Sequence, residues 1–306
     1  MMDHDRDAPS EKAVLALLQV IAPGSTLSAI HPLAGSYSNY THLIEYDSAA
    51  GTHTRIVVRR YAECGGDRVG KAHREFKTLV LLQGHSVPAP DPLYLDEVGA
   101  LLGAPGIVTG YVPGAQIYAP PDPPSWARAL ATMLAQIHSI PCDATTQRTL
   151  MDANSEAVWF LRSGVVPAYM SAHPDGVRLW QAVHDLQPHI RQVPPKLVHL
   201  DYWPGNVLWA RDQITAVVDW EEAAYGDPGI DVAYCRMNMS LDGMDQEADE
   251  FLRAYEARVG QVVNLGFWEL AAAARPMIDP EGWKITGSPA RERFRQFIAS
   301  ANKRAG

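Results

Sequence analysis

The chain has 306 residues, an apolar fraction of 47% and a formal net charge of -9. That is long enough for two lobes with their own cores. It is too acidic for a general nucleic-acid or anionic-membrane surface, which would need clustered Lys and Arg. Cys64, Cys142 and Cys235 are odd in number and far apart, so neither a disulfide framework nor a zinc pattern is indicated and reduced thiols are expected. The N-terminus has no basic region followed by an apolar core, and no run reaches bilayer-spanning length. A soluble, cytoplasmic protein without a nucleic-acid or membrane partner is the expectation.

In chain order, Ser10 is positioned to cap a helix over residues 11–21, whose Val14, Leu15, Leu17, Leu18 and Ile21 make an apolar face before Pro23 and Gly24 end it. Strand signals follow at 31–34, 40–46 and 54–61, which predict an antiparallel meander. The first turn carries Gly35, Ser36, Ser38 and Asn39, small residues that let backbone N–H groups approach an anion, though without a full glycine-rich repeat. Alternation over residues 56–60 puts Val57 and Arg59 on one strand face and Ile56, Val58 and Arg60 on the other. A helix over 71–83 contains Glu75, and short runs at 93–95 and 107–108 lead into Thr109-Gly110-Tyr111-Val112-Pro113-Gly114. Residues 119–124 read as a stiff proline-rich linker. Ser125 then caps a helix to about 139 with Trp126, Leu130, Met133, Leu134 and Ile137 as its apolar stripe. Helices are also expected over 154–161 and 175–187.

The densest chemistry lies in residues 196–231. Leu197 and Val198 form a short apolar run; Pro204 and Gly205 turn the chain; Val207 to Trp209 and Ile214 to Val218 are strands of a hairpin that ends at Asp219. The loop and hairpin together hold His199, Asp201, Asn206 and Asp219, with Asp227 and Asp231 close behind. Phosphoryl transfer from a magnesium nucleotide asks for a carboxylate near the accepting hydroxyl and for oxygen ligands to the metal. Asp and Asn oxygens are hard ligands of that kind. Beyond this stretch, helices over 230–239, 245–259, 262–274 and 290–301 make the remainder mainly helical.

His199-x-Asp201-x-x-x-x-Asn206, then Asp219-Trp220-Glu221, then Gly226-Asp227-Pro228-x-x-Asp231 resemble the aminoglycoside phosphotransferase and choline kinase-like family of small-molecule kinases. The resemblance implies an α+β, bilobal protein-kinase-like fold, with a small antiparallel-sheet N-lobe over 1–112 and a larger, mainly helical C-lobe over 113–306. It implies ATP, with GTP as the alternative, and Mg2+ as cofactors, and a small-molecule hydroxyl acceptor as partner. Asp201 is then the catalytic base or hydroxyl-orienting residue, and Asn206 and Asp219 are the metal ligands. Ser36, Ser38 and Asn39 correspond to the phosphate loop, Arg59 to the strand cation that pairs with phosphate, and Glu75 to the carboxylate that holds that cation. Thr109 and Tyr111 belong to the hinge segment facing the purine edge. Arg60 is the alternative to Arg59. Asp227 and Asp231 are the supporting pair at a turn and at a helix start, while His199 and His138 are architectural. The departure is Leu200, where many members carry Gly.

Two rivals remain open. A protein kinase is disfavoured because seven residues separate Asp219 from Asp227, too few for an activation segment. A non-catalytic nucleotide-binding or partner-binding module is the second. The acceptor is equally open among aminoglycosides, macrolides, amino-alcohols and sugars. Glu221, Glu222, Asp152 and Asp175 either line an acidic acceptor cleft or are solvated surface; Tyr202 and Trp203 either stack on an acceptor ring or pack in the core.

Overall fold

The computed structural model describes residues 8–33, 39–62 and 66–306, so Ser36 and Ser38 lie outside the described residues. The chain forms two compact units, one of residues up to Ala115 together with Leu208–Glu222, the other of Gln116–Val207 together with Ala223–Gly306. This corrects the expectation that the hairpin lies on the helical lobe. The backbone decides it: Trp209 and Ala115 exchange both N–H···O bonds at 2.9 and 3.0 Å, and the Val217 N–H donates to Pro88 O at 2.8 Å.

In the first unit, helix α1 (Glu11–Ile21) is capped by the Ser10 hydroxyl, which accepts from the Ala13 N–H. Strands β1 (Thr26–Pro32), β2 (Asn39–Asp47) and β3 (His53–Tyr61) form the expected meander, followed by α2 (Arg68–Leu82), β4 (Pro92–Asp96) and β5 (Gly106–Gly110). The sheet order is β1-β2-β3-β5-β4, antiparallel at every pairing. Helix α2 begins three residues before the predicted start because Asp67 caps it through the Gly70 N–H. Ile56 and Val58 enter the core with Val14, Leu17, Leu18, Ile44 and Val108, so the face read from strand alternation is the buried one and Arg59 lies on the other. The hairpin strands Val207–Ala210 and Gln213–Val217 are joined by Arg211 and Asp212 at φ 50° and 61°. Two consecutive residues of positive φ give the turn that matches strand twist.

Leu102 reaches this core through a loop held by one carboxylate. Asp96, 2% exposed, accepts the backbone N–H groups of Ala100, Leu101 and Leu102 at 2.7, 2.9 and 2.6 Å.

The second unit is built around the helix Gly229–Leu241, every residue of which is buried. Helix α3 (Pro123–His138) is capped by Asp122, not Ser125, and its first two residues are prolines. Two residues of the predicted linker thus open the helix, where a missing N–H is tolerated. Asp245–Val259, Leu265–Ala272 and Ala290–Ala305 complete the helical body, tied by the buried Glu269, which pairs with Arg236 at 2.9 Å and Arg304 at 2.6 Å. A three-stranded sheet orders Met151–Asp152, Ala224–Gly226 and Lys196–Val198. Among the described residues no helix is long and apolar enough to cross a membrane.

Replacing Asp96 with Ala strands three backbone donors at once. A buried donor left unpaired costs about 1–3 kcal/mol, so Asp96→Ala is expected to lower the unfolding free energy by about 2–4 kcal/mol, read from urea denaturation. A loss below about 1 kcal/mol would show that the loop does not need the carboxylate.

Candidate active site

The first unit gathers a network of buried charge. Arg59 leaves β3 with its Nη2 at 2.6 Å from Asp219 Oδ1 and 2.8 Å from Glu221 Oε2, and its Nε 3.6 Å from Glu75 Oε2. Burial works against the guanidinium charge, but Asp219, Glu75 and Glu221 outweigh it and hold its pKa above the usual value. Lys71 Nζ meets Glu221 Oε1 at 2.8 Å, Asn39 Nδ2 donates to Glu221 Oε2 at 2.5 Å, and Arg74 donates to the Glu221 carbonyl. Burial pushes the Glu221 carboxyl up, yet Arg59 and Lys71 reverse this and hold it below its ordinary value. Arg60 instead points to the other face, over the Tyr40 ring and toward Leu102 O.

Glu75 behaves differently. Its carboxylate, 4% exposed, accepts from the Tyr61 hydroxyl and from the Trp220 N–H at 3.4 Å. Burial, with Asp219 and Glu221 adding to it against the pull of Arg59, raises its pKa to about 7. Three carboxylates share two close cations, and the one most distant from a guanidinium nitrogen, which is also buried, is the one whose pKa is raised.

Asp219 itself has φ 69°, a left-handed conformation in which an L residue costs roughly 1–2 kcal/mol. The following Trp220 is fully buried and donates its Nε1–H to Val217 O at 2.9 Å, which anchors the bend. In the hinge segment, Thr109 is buried in β5 opposite Val57. The Tyr111 N–H donates to Arg55 O at 3.3 Å, with the Arg55 guanidinium 4.2 Å over the Tyr111 ring.

The second unit holds the loop of Asp201 and Asn206. Asn206 donates Nδ2–H to Asp201 O at 2.9 Å and to Asp201 Oδ2 at 2.8 Å, which leaves the amide oxygen as its acceptor group for a metal. Arg275 Nη1 lies 3.3 Å from Asp201 Oδ1, the Tyr234 hydroxyl hydrogen-bonds to Asp201, and the Arg275 guanidinium covers the Tyr234 ring at 4.7 Å. The loop is fixed from beneath by Asp231, fully buried, whose two oxygens accept the His199 and Leu200 N–H groups at 2.8 Å each. His138 Nε2 reaches the same carboxylate at 3.1 Å, and its Nδ1 meets the Tyr255 hydroxyl at 2.6 Å. Asp227 accepts from Gly229 N, Asn264 Nδ2 and Trp268 Nε1 at 2.8, 2.8 and 2.7 Å.

Several sequence expectations resolve on this geometry. Glu221 is neither solvated nor in an acceptor cleft; it is the shared anion of Arg59, Lys71 and Asn39. Asp152 caps a short helix through the Ser155 N–H, and Asp175 lies 3.7 Å from Arg295. Tyr202 is core, its hydroxyl donating to Leu130 O at 2.9 Å, while Trp203 packs its ring on Gly205, where any Cβ would collide with it. Lys71, Tyr234 and Arg275 were not singled out from sequence. Tyr234 was findable, three residues after Asp231 on one helix face; Arg275 has no local signal, since 74 residues separate it from Asp201.

Leu200 takes φ 68°, the reason Gly suits this position. Its side chain is 3% exposed, so two terms oppose each other in Leu200→Gly: relief of roughly 1–2 kcal/mol of backbone strain and loss of a buried side chain worth about 2–5 kcal/mol. Packing is the larger, and a net loss of about 2 kcal/mol in chemical denaturation is expected; a stabilised variant would mean that the strain dominates.

Glu75 gives a pH signature. A carboxyl whose folded pKa is about 7, against about 4.3 unfolded, binds its proton more tightly in the native state, so its contribution to stability falls as pH rises between those values. In metal-free buffer, the melting temperature of wild type relative to Glu75→Gln is therefore expected to decline from pH 5 to pH 8. A difference that stays flat across this window would place Glu75 in the ordinary carboxylate range.

Comparison with known proteins gives the lineage. The model of the phosphotransferase enzyme family matches residues 29–266. Acyl-CoA dehydrogenase family member 10 of Mus musculus is 30% identical over 198 residues, 59% of this chain but 18% of that protein, so the chain spans only a small part of this relative's length. Viomycin phosphotransferase of Streptomyces vinaceus is 27% identical over 233 residues, 71% of this chain and 76% of the relative. Among solved structures, the ADP-bound aminoglycoside phosphotransferase APH(2'')-Ib superposes with a TM-score of 0.60 at 15% identity, over 96% of this chain and 97% of the other. That likeness establishes an α+β fold of the protein-kinase-like kind. With the family match running from β1 into the helix Leu265–Ala272, the chain belongs to the phosphotransferase enzyme family.

Proposed function

We propose that the protein transfers the γ-phosphoryl group of ATP, with GTP as the alternative donor, to a hydroxyl of a small molecule. The observation that carries this reading is the Asp201 carboxylate, held by the Asn206 amide at 2.8 Å in a loop that Asp231 pins by two backbone bonds. A carboxylate so fixed orients an acceptor hydroxyl and takes its proton as the phosphoryl group arrives. Since most of the work in phosphoryl transfer is positioning and charge stabilisation, rigidity at this carboxylate is the property the reaction needs. The relatives in hand include a named phosphotransferase and a fold neighbour bound to ADP, which supports a nucleotide donor.

Arg59 serves as the cation for the nucleotide phosphates, and Glu75 and Glu221 orient it. Asn39, Thr109 and Tyr111 are proposed nucleotide contacts together with Ser36 and Ser38. The donor chemistry fits Mg2+, because the Asn206 amide oxygen and the Asp219 carboxylate are hard oxygen ligands. When bound, the metal would neutralise charge on the phosphates, and Asn206 and Asp219 are the residues proposed to hold it.

Asp201→Asn tests the reading. It keeps the size of the side chain and its place beside Asn206, so folding and the melting shift given by magnesium ATP are expected to persist. Coupled ADP release across a panel of aminoglycosides, macrolides, amino-alcohols, sugars and hydroxy acids is expected to fall on the order of 100-fold or more. Near-normal turnover in the folded variant would remove Asp201 from the mechanism. ATP binding by wild type without turnover on any acceptor would favour a non-catalytic nucleotide-binding module.

A further inference from the structure

The second unit contains a cavity of about 580 Å³ whose walls include Met277, Ile278 and Ile285 on one side and Asp175, Arg291 and Arg295 on another. That volume lies within the range of small-ligand sites, which pair apolar walls with a few polar groups. Ile278 is 53% exposed, a large apolar side chain left in contact with water at the cavity wall. The short turn Arg275–Met277 links this wall to the catalytic loop: Arg275 reaches Asp201 at 3.3 Å, and two residues on, Met277 lines the cavity.

The charge of the cavity is informative in a chain of net charge -9. Arg295 Nε lies 3.7 Å from Asp175 Oδ2, so these two offset each other and Arg291 gives the cavity a positive excess. One Arg291 nitrogen donates to the Thr286 carbonyl, which steadies a head group that has five N–H donors in all. At the reacting end the cation is Arg275. Of the carboxylates that the sequence offered for an acidic cleft, Asp152 caps a helix and Glu221 is bonded within the first unit, while Asp175, in this cavity's own wall, faces Arg295.

Resting on the phosphotransferase reading above, we propose that this cavity is the acceptor subsite and that the acceptor is an aliphatic hydroxy acid. Its carbon chain lies against Met277, Ile278 and Ile285, its carboxylate on Arg291, and its hydroxyl at Asp201. In the transfer, the bond from the γ-phosphorus to the β,γ-bridging oxygen breaks, a new bond joins that phosphorus to the acceptor oxygen, the hydroxyl proton passes to Asp201, and the nucleoside diphosphate leaves.

The test is calorimetric binding to the full chain of straight-chain hydroxy carboxylates of increasing length, each beside its uncharged amide, with a polycationic aminoglycoside as the opposing ligand. The acid is expected to bind about tenfold more tightly than its amide, the scale of a hydrogen bond to a charged group, and affinity is expected to rise with chain length. Arg291→Met is expected to erase the acid preference and Arg291→Lys to retain part of it. Ile278→Asp, at an exposed position, is expected to weaken the acid more than the amide. Equal binding of acid and amide by wild type, tighter binding of the aminoglycoside, or an undiminished acid preference in folded Arg291→Met overturns the proposal. Coupled ADP release separates the two readings. Turnover of neutral or cationic alcohols without an acid preference leaves the phosphotransferase standing and the subsite refuted; Arg291-dependent acid binding without turnover on any acceptor does the reverse.

Discussion

The interaction on which the catalytic loop depends is the Asp231 carboxylate accepting two consecutive backbone N–H groups. Consecutive N–H groups converge on one anion only when the intervening backbone bends, and here the bend puts Leu200 in the left-handed region. A buried carboxylate without partners would be costly; this one has two amides and His138, which is itself held by Tyr255. The loop is thus fixed from its buried side, and Asp201 on its other side is left to Asn206, Tyr234 and Arg275. Strain at Leu200 is tolerated because its side chain and the Asp231 bonds over-determine the conformation.

The first unit answers a different problem, that of keeping several ionisable groups together in a place with little water. Arg59 and Lys71 pair with Asp219 and Glu221, while burial, helped by Asp219 and Glu221 against the pull of Arg59, holds Glu75 toward its neutral form. Arg59 is also the cation that pairs with Asp219 at 2.6 Å. The guanidinium is suited to this because its planar fork serves more than one carboxylate and stays charged despite burial. Asn39, which the resemblance put against phosphate, donates to Glu221 and so helps to place the anion that orients Arg59.

The proposed acceptor subsite lies in the C-terminal part of the second unit, in residues whose roles come from tertiary contacts. Arg275 and Arg291 are unremarkable in the sequence, yet one sits on the Asp201 carboxylate and the other lines a cavity to which Met277, two residues after Arg275, also contributes. The acidic overall charge does not carry over to the proposed subsite, where Asp175 faces Arg295 and Arg291 adds a further cation. Net charge is an average over a surface, whereas binding depends on the few groups in one place.

The sequence by itself determined the meander, the helices and the short motifs, because each is set by local rules. Alternation on β3 sends Arg59 away from Ile56 and Val58, Ser10 caps α1, and the spacing of Asp201, Asn206 and Asp219 within one loop and hairpin keeps the chemical groups close in chain order. Local rules also misled at the edges: Asp122 caps α3 where Ser125 was expected, because two prolines can open a helix and the cap must precede them. What only the tertiary structure decided is which charges meet. That Glu221 bonds Arg59 and Lys71 across 162 and 150 residues, that Arg275 finds Asp201, and that the hairpin pairs with Ala115 and Pro88 all depend on side chains and strand edges brought together by packing. No periodicity or motif records such distances, since a contact between remote residues is fixed by the shape of the whole fold and not by the residues beside either partner.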